Sequence, residues 1–309
     1  MNALRGDAAV AALLLDAAFG EPPATVHPTV MMGRAISVFE QVALSPKNPI
    51  PARLSGLALA LALPTLVYLC ARAILRLVPR SLRWPVEAAL ISTTLSMRGL
   101  AEAAVAVERE LKNDRLNKAR ERVGEFVGRD TKDLSETGVA RAAIESVAEN
   151  TSDAVVAPMI YAFLFGASGV LAYKAVNTLD SMVGYRNVKY EQFGWASARL
   201  DDLANLAPSR VTAITAAIFG GPAAFRTALR FGPLTESPNA GWTEAAFAGA
   251  LGVQLGGANS YGSVPNDGPI LGDGRSPVTE DIPRAVRLMR CCCVLLAALA
   301  FLAGRAGRG

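Results

Sequence analysis

The sequence predicts an all-α, polytopic integral membrane protein with a cytoplasmic helical layer. Three observations predict it. Of 309 residues, 51% are hydrophobic and 19% charged, against roughly 25% charged in ordinary soluble domains. Mean hydropathy is +0.29. Three runs, Leu54–Ala71, Ala154–Tyr173 and Val211–Phe225, carry no charge over 18, 20 and 15 residues. The composition excludes a disordered chain, which needs low hydrophobicity and high net charge. A formal charge of +4 and 6% aromatics argue against nucleic acid as a partner.

The elements follow in order. Ala8–Leu15 is a short apolar run flanked by Asp7 and Asp16; it reads as a retained helix, not a cleaved signal. Gly20–Pro51 is polar and Pro-rich. Leu54–Ala71 is long enough to span the hydrocarbon core, which takes about 17–25 residues, and Pro64 inside it is tolerated there. Arg72, Arg76, Arg80 and Arg83 follow with no acid before Glu87, so this flank is expected to be cytoplasmic. Residues 86–150 turn charged and helical and read as a cytoplasmic layer within one membrane-embedded domain, 1–309. Ala154–Tyr173 is either one span or, because Gly166-Ala167-Ser168-Gly169 interrupts it, a re-entrant hairpin of two short helices. Val211–Phe225, Ala245–Leu255 and Cys291–Gly304 are further apolar segments, giving four or five spans. Residues 256–283 are rich in Gly, Pro, Asp and Asn and read as a loop. No internal repeat is evident. Cys70, Cys291, Cys292 and Cys293 give no disulfide framework, and consecutive helical residues point about 100° apart, so the three adjacent thiols cannot share a metal.

The polar residues cluster beside the apolar runs. Arg141, Glu145, Glu149 and Asp153 lie at successive i, i+4 positions, one helical stripe. Arg141 can pair with Glu145, which leaves Glu149 and Asp153 adjacent and like-charged. A cation such as Mg²⁺ would relieve them, since it favours one or two carboxylates with waters and phosphate. The competing reading is a solvated ladder of salt bridges. Lys174, Asn177 and Asp180 share roughly one face of a second segment, and Arg199, Asp201, Asp202 and Asn205 make a third cluster, whose paired aspartates would equally serve a helix dipole. His27, the single histidine, excludes a His-based metal cage. Gly256-Gly257 and Gly272-Asp273-Gly274 could offer backbone N–H groups to an anion. Neither a P-loop nor a dinucleotide fingerprint is present.

Read together, several motifs carry a resemblance: DAAFGEPP at Asp16–Pro23, His27-Pro28 with Met32-Gly33-Arg34, Gly128-Arg129-Asp130-Thr131, RAAIESVAENTSD at Arg141–Asp153, YKAVNTLDSMVGY at Tyr173–Tyr185, Asp201-Asp202 through Pro208-Ser209-Arg210, and SPNAGWTEAAFAGALGVQLGG at Ser237–Gly257. In this order the chain resembles the adenosylcobinamide-phosphate synthase family of cobalamin biosynthesis (CobD/CbiB) over nearly its whole length. The resemblance implies a multipass protein of the cell (inner) membrane. It implies an ATP-dependent ligase that joins the propionate carboxylate of adenosylcobyric acid to (R)-1-aminopropan-2-ol or its O-phosphate. ATP and Mg²⁺ are the implied co-reactants, and other corrin-pathway enzymes are candidate partners. Such chemistry needs acids for Mg²⁺ and cations for phosphate. Glu145, Glu149 and Asp180 are expected in catalysis and Glu149, Asp153 and Asp201 at the metal. His27, Arg34, Arg129, Asn150, Lys174, Asn177, Arg186 and Asn239 are expected around substrate and phosphate. Ala154 and Ser263 stand where the family usually shows glycine. If every polar motif faces the cytosol, Ala154–Tyr173 must be a hairpin, with Thr151 and Arg186 labelled from one side.

Two other functions compete. A small-solute transporter would carry charges within its spans and two-fold repetition. A non-catalytic scaffold for corrin enzymes would not need so many clustered acids.

Overall fold

The computed structural model describes residues 2–45, 50–185, 187–261 and 264–306. Helices dominate, in the order α1 (Asn2–Phe19), α2 (Pro28–Ala43), α3 (Ala52–Leu77), α4 (Arg80–Ser92), α5 (Met97–Lys112), α6 (Leu116–Gly124) and α7 (Glu136–Thr151). A π-turn, Ser152–Val156, leads into α8 (Ala157–Val183), then α9 (Trp195–Ala204), α10 (Leu206–Phe231) and α11 (Ala240–Leu251). Two strands, β1 (Leu255–Tyr261) and β2 (Val264–Leu271), precede α12 (Asp281–Ala306). Among the described residues four stretches are long and apolar enough to cross a membrane: Ala52–Leu77, Arg80–Lys112, Glu136–Val183 and Asp281–Ala306. The protein is thus an all-α polytopic membrane protein. On α3 the face with Gly56, Leu59 and Leu63 is buried, while Leu54, Leu57, Leu61, Leu66 and Leu69 are exposed. A helix apolar on both its packed and its exposed faces suits lipid rather than water.

The chain forms two compact units, Met1–Ser96 with Ala157–Asn205 and Ala297–Gly309, and Met97–Val156 with Leu206–Leu296. In the first, α3 packs on α8 and α9, and α1 on α4 and α8. Its core joins Ile36, Leu59, Leu63, Leu171, Leu179 and Phe193. The start of the stretch expected to form the charged layer, residues 86–92, belongs to α4 in this unit. In the second, α10 packs on α11, and α5 on α6 and α7. Cys291, Cys292 and Cys293 are free thiols in α12.

Residues 157–183 make a hairpin, not a straight span. Gly166 takes φ 69°, ψ −167°, a left-handed setting that only glycine adopts readily. The rings of Tyr161 and Tyr173 stack 4.6 Å apart, although twelve residues of straight helix would separate them by about 18 Å. The arms measure about 14 Å and about 25 Å at the helical rise. Glu87 accepts from the Ala167 N–H at 3.2 Å, and Arg5 donates to the Leu164 carbonyl at 2.5 Å. Both contacts pin the tip. A double variant, Tyr161→Cys with Tyr173→Cys in a background lacking the native cysteines, should close an intramolecular crosslink with copper phenanthroline or a short thiol reagent. Mass spectrometry showing none would refute the hairpin. Thr151 is fully buried and so cannot serve as a labelling site, and Arg186 lies outside the described residues.

The same turn occurs again. In α10, Gly221 takes φ 74°, ψ −168°, and a Cβ on Gly220 would come within 2.8 Å of the Ala224 Cβ, far closer than an unbroken helix brings such a pair. Sixteen residues before each turn glycine stands an asparagine, Asn150 or Asn205. Each donates to a side chain four residues upstream: Asn150 to the Ser146 Oγ at 3.2 Å and Asn205 to the Asp201 Oδ2 at 3.0 Å. A repeated device is therefore present where the sequence shows no repeat. This break falls in Gly220-Gly221-Pro222, the residues that weaken Val211–Phe225 as a span, and α10 is not among the stretches long and apolar enough to cross a membrane.

The loop expected over residues 256–283 is corrected too. It contains a two-stranded antiparallel ribbon pairing Leu255 with Leu271 and Asn259 with Asn266, bulged between Gly256 and Ala258. Ser263, one of the two noted departures, lies outside the described residues.

Candidate functional site

The first unit carries a buried polar chain. The Tyr173 hydroxyl donates to Asn205 Oδ1 at 2.9 Å, and the Asn205 amide donates to Asp201 Oδ2 at 3.0 Å. Asn177 approaches Asp201 Oδ1 at 3.5 Å, and Lys174 Nζ donates to Asn177 Oδ1 at 2.9 Å. Asp201 is 8% exposed. Burial pushes its carboxyl up to about 6, and Asp202 adds to the shift; the amides of Asn205 and Asn177 and the charge of Lys174 oppose it. Removal of a carboxylate from water disfavours its charged form. The result is a carboxyl that exchanges its proton near neutrality. Spacing expected Lys174 and Asn177 together, and the fold adds α9 to them.

Asp180 sits at the end of α8, where its carbonyl accepts from Gly184 N at 2.7 Å. A Cβ on Gly184 would lie 2.0 Å from Asp180 Oδ1, so the carboxylate covers that glycine. His27 caps α2, its Nδ1 accepting from Thr29 N at 3.2 Å, and its Nε2 faces Glu21 Oε2 at 3.3 Å. Arg34 is exposed.

The second unit holds a clamp. Arg129 and Glu145 form an ion pair with side chains 7% and 8% exposed. Glu145 also accepts from Gly256 N at 2.5 Å, and Arg141 Nε lies 3.8 Å from it. The guanidinium of Arg141 donates to the carbonyls of Gly256 at 2.6 Å and Ala258 at 2.7 Å, and to Asn259 Oδ1 at 3.0 Å. Arg129 donates to the same Asn259 oxygen. Arg129 and Glu145, expected at phosphate and in catalysis, thus hold the ribbon to α7. Beside them opens a cleft of about 480 Å³ lined by Ser135, Thr137, Arg141, Gln254, Gly256 and Gly257.

Glu149 is exposed and Asp153 half-buried, at the junction of α7 and the π-turn. Asn150 folds back on Ser146, its amide 3.0 Å from the Ser146 carbonyl. Asn239 is buried at the start of α11 and accepts from Ser209 at 3.1 Å and Arg210 at 2.8 Å. Among the described residues no group of three His, Cys, Asp or Glu side chains converges as a metal site.

The residue that sequence reasoning passed over is Glu244 in α11. Burial pushes its carboxyl well above the usual range, Glu145 and Glu149 push further, and Arg129 opposes them. The signal was present: it is the single acid in the otherwise apolar run Ala240–Leu251.

Fold and site together define a polytopic helical membrane protein that keeps a carboxyl of raised pKa, Asp201, in a buried polar network. The chain belongs to the CobD/CbiB family of cobalamin biosynthesis proteins: the family model CobD/Cbib protein matches residues 9–289. Among its relatives, the cobalamin biosynthesis protein CobD of Chromobacterium violaceum is 44% identical over 94% of each chain. That of Mycobacterium tuberculosis is 43% identical over 90% of this chain and 88% of its own. CbiB of Salmonella typhi is 39% identical over 96% of each. No solved structure matches.

Proposed function

We propose that this protein forms the amide bond between the propionate carboxylate of adenosylcobyric acid and 1-aminopropan-2-ol or its O-phosphate, at the inner membrane and at the expense of ATP. The observation that carries this reading is the buried Lys174–Asn177–Asp201–Asn205 chain, in which Asp201 is held between two amides and burial pushes its carboxyl up to about 6. Amide formation needs the amine free of its extra proton. A carboxylate close to neutral pKa is suited to take that proton, and the Asn205 and Asn177 amides fix its orientation. Lys174 supplies a positive charge beside it.

ATP would supply activation: its γ-phosphoryl group passes to the substrate carboxylate, and the amine displaces phosphate from the acyl phosphate to leave the amide. Mg²⁺ would be held by Glu149 and Asp153, hard oxygen donors at the junction of α7 and the π-turn. Such an ion arrives on nucleotide phosphates and needs only one or two carboxylates from the protein. Asp201, with both oxygens facing amide donors, is better placed for proton transfer than for the metal.

The test is the purified protein in nanodiscs with adenosylcobyric acid, aminopropanol phosphate, ATP and Mg²⁺, followed by mass spectrometry. Amide product with stoichiometric ADP and phosphate is expected; folded protein giving none overturns the reading. One observation favours a second reading, transport of a small solute: the turn repeated at Gly166 and Gly221. Solute uptake into proteoliposomes without amide product would establish it.

A further inference from the structure

Arg210 makes no ion pair among the described residues, yet it is held in place from several directions. Its Nη1 lies 2.8 Å from Asn239 Oδ1, 2.9 Å from Ser209 Oγ and 3.2 Å from the Leu206 carbonyl. Its guanidinium rests 4.8 Å over the Trp242 ring. Ser209 is 1% and Asn239 7% exposed, so the cradle is packed and its rotamers are fixed. Nε and Nη2 have no acceptor among the described residues. Burial alone perturbs the group, drawing its pKa below the ordinary arginine value, with no carboxylate contributing. A half-buried cation without a counter-ion is costly. Two helices, α10 and α11, begin at this point with residues 206 and 240, and helix N-termini add positive potential. Nε and Nη2 together form the planar fork that matches two oxygens of an oxyanion.

We propose that the free edge of Arg210, braced by Ser209, Asn239 and Trp242, binds a phosphoryl group. This deepens the amide-ligase reading, on which it rests only for the source of the phosphate. Two sources share the chemistry: the phosphate of a soluble substrate, and the headgroup of an anionic phospholipid. The soluble one is the source assigned, because the amide-ligase reading supplies it, and the experiment separates the two.

The variants are Arg210→Gln and Arg210→Lys. Neither should unfold the protein, since Asn239 Oδ1 keeps Ser209 as a donor. Lysine keeps the charge but loses the fork. In phospholipid-free detergent, inorganic phosphate should raise the melting temperature of the parent protein, not of Arg210→Gln, and only weakly that of Arg210→Lys. In the ligase assay KM for one phosphate-bearing substrate should rise at least tenfold in both variants, with kcat changed less; ATP and aminopropanol phosphate are titrated separately to show which. Unphosphorylated aminopropanol should lose the discrimination if the amine is the source. Equal phosphate response in parent and Arg210→Gln overturns the site. An effect seen only in nanodiscs containing phosphatidylglycerol, with every KM unchanged, assigns the edge to lipid and overturns the substrate assignment. Phosphate binding that depends on Arg210 without any amide product upholds the site and refutes the ligase reading instead.

Discussion

Asp201→Asn should lower amide formation by about two to four orders of magnitude, the usual weight of a positioned proton acceptor, while leaving the protein at least as stable at pH 8. The two effects have one cause. Burial raises the Asp201 carboxyl from 3.8 to about 6, so the folded protein holds that proton more tightly than the unfolded chain. The contribution to stability is fully present below about 4 and is lost as pH rises through 6, an amount on the order of 3 kcal/mol. Asparagine carries no charge to bury and should abolish this part of the pH dependence. Activity runs the opposite way. The parent enzyme needs the ionised form, so its rate should fall below pH 6 with a single-proton limb, and that limb should vanish in the variant's residual activity. A merely structural Asp201 would give an Asn variant with lost stability and an unchanged profile. Thermal melts at pH 4.5 and 8 together with a pH–rate curve separate the cases. A variant of normal activity would remove Asp201 from proton transfer altogether.

The sequence made the membrane class legible because hydrocarbon imposes long uncharged helices, and Leu54–Ala71 could be little else. The hairpin at Gly166 was legible only as an alternative. Four small residues in an apolar run permit a turn but do not require one, and the choice depends on the packing of Tyr161 against Tyr173 and the grip of Glu87 and Arg5 on the tip. The recurrence at Gly221 was hidden for a different reason. What repeats is a backbone conformation, which leaves in sequence only a glycine with an asparagine sixteen residues earlier. The ribbon was missed because its composition is that of a loop, and side chains from elsewhere, Arg129, Arg141 and Glu145, hold it in register. At the site, the helical spacing found the pairs that lie on one helix, Lys174 with Asn177 and Arg141 with Glu145. It could not show whether a cation's anion is a side chain or a ligand. Arg129, expected at phosphate, is ion-paired with Glu145; Arg210, noted only as part of a motif, lacks such a partner among the described residues.

The second large effect concerns that clamp. Arg129→Ala should destabilise the second unit by about 3–5 kcal/mol, the cost of leaving one member of a buried ion pair without the other. Arg141 reduces the loss for Glu145 but cannot restore it, because its Nη1 and Nη2 are committed to the Gly256 and Ala258 carbonyls and to Asn259, and its Nε stands 3.8 Å from Glu145. Exchanging the charges, Arg129→Glu with Glu145→Arg, should not rescue. The Gly256 N–H, 2.5 Å from Glu145 Oε1, needs an acceptor that arginine does not provide, and an unsatisfied buried donor adds about 1–3 kcal/mol. Glu145→Gln should be milder than Glu145→Ala, since its amide oxygen still accepts from Gly256. The order expected from denaturant melts of the purified protein is therefore parent, Glu145→Gln, then Arg129→Ala and Glu145→Ala, with the exchanged double variant no better than either. Hydrogen exchange would place the loss: amides of residues 255–259 should lose protection first, while those of α3, in the other unit, keep theirs. Full rescue by the exchanged pair would mean that the clamp acts through charge alone and that its backbone bond to the ribbon contributes nothing.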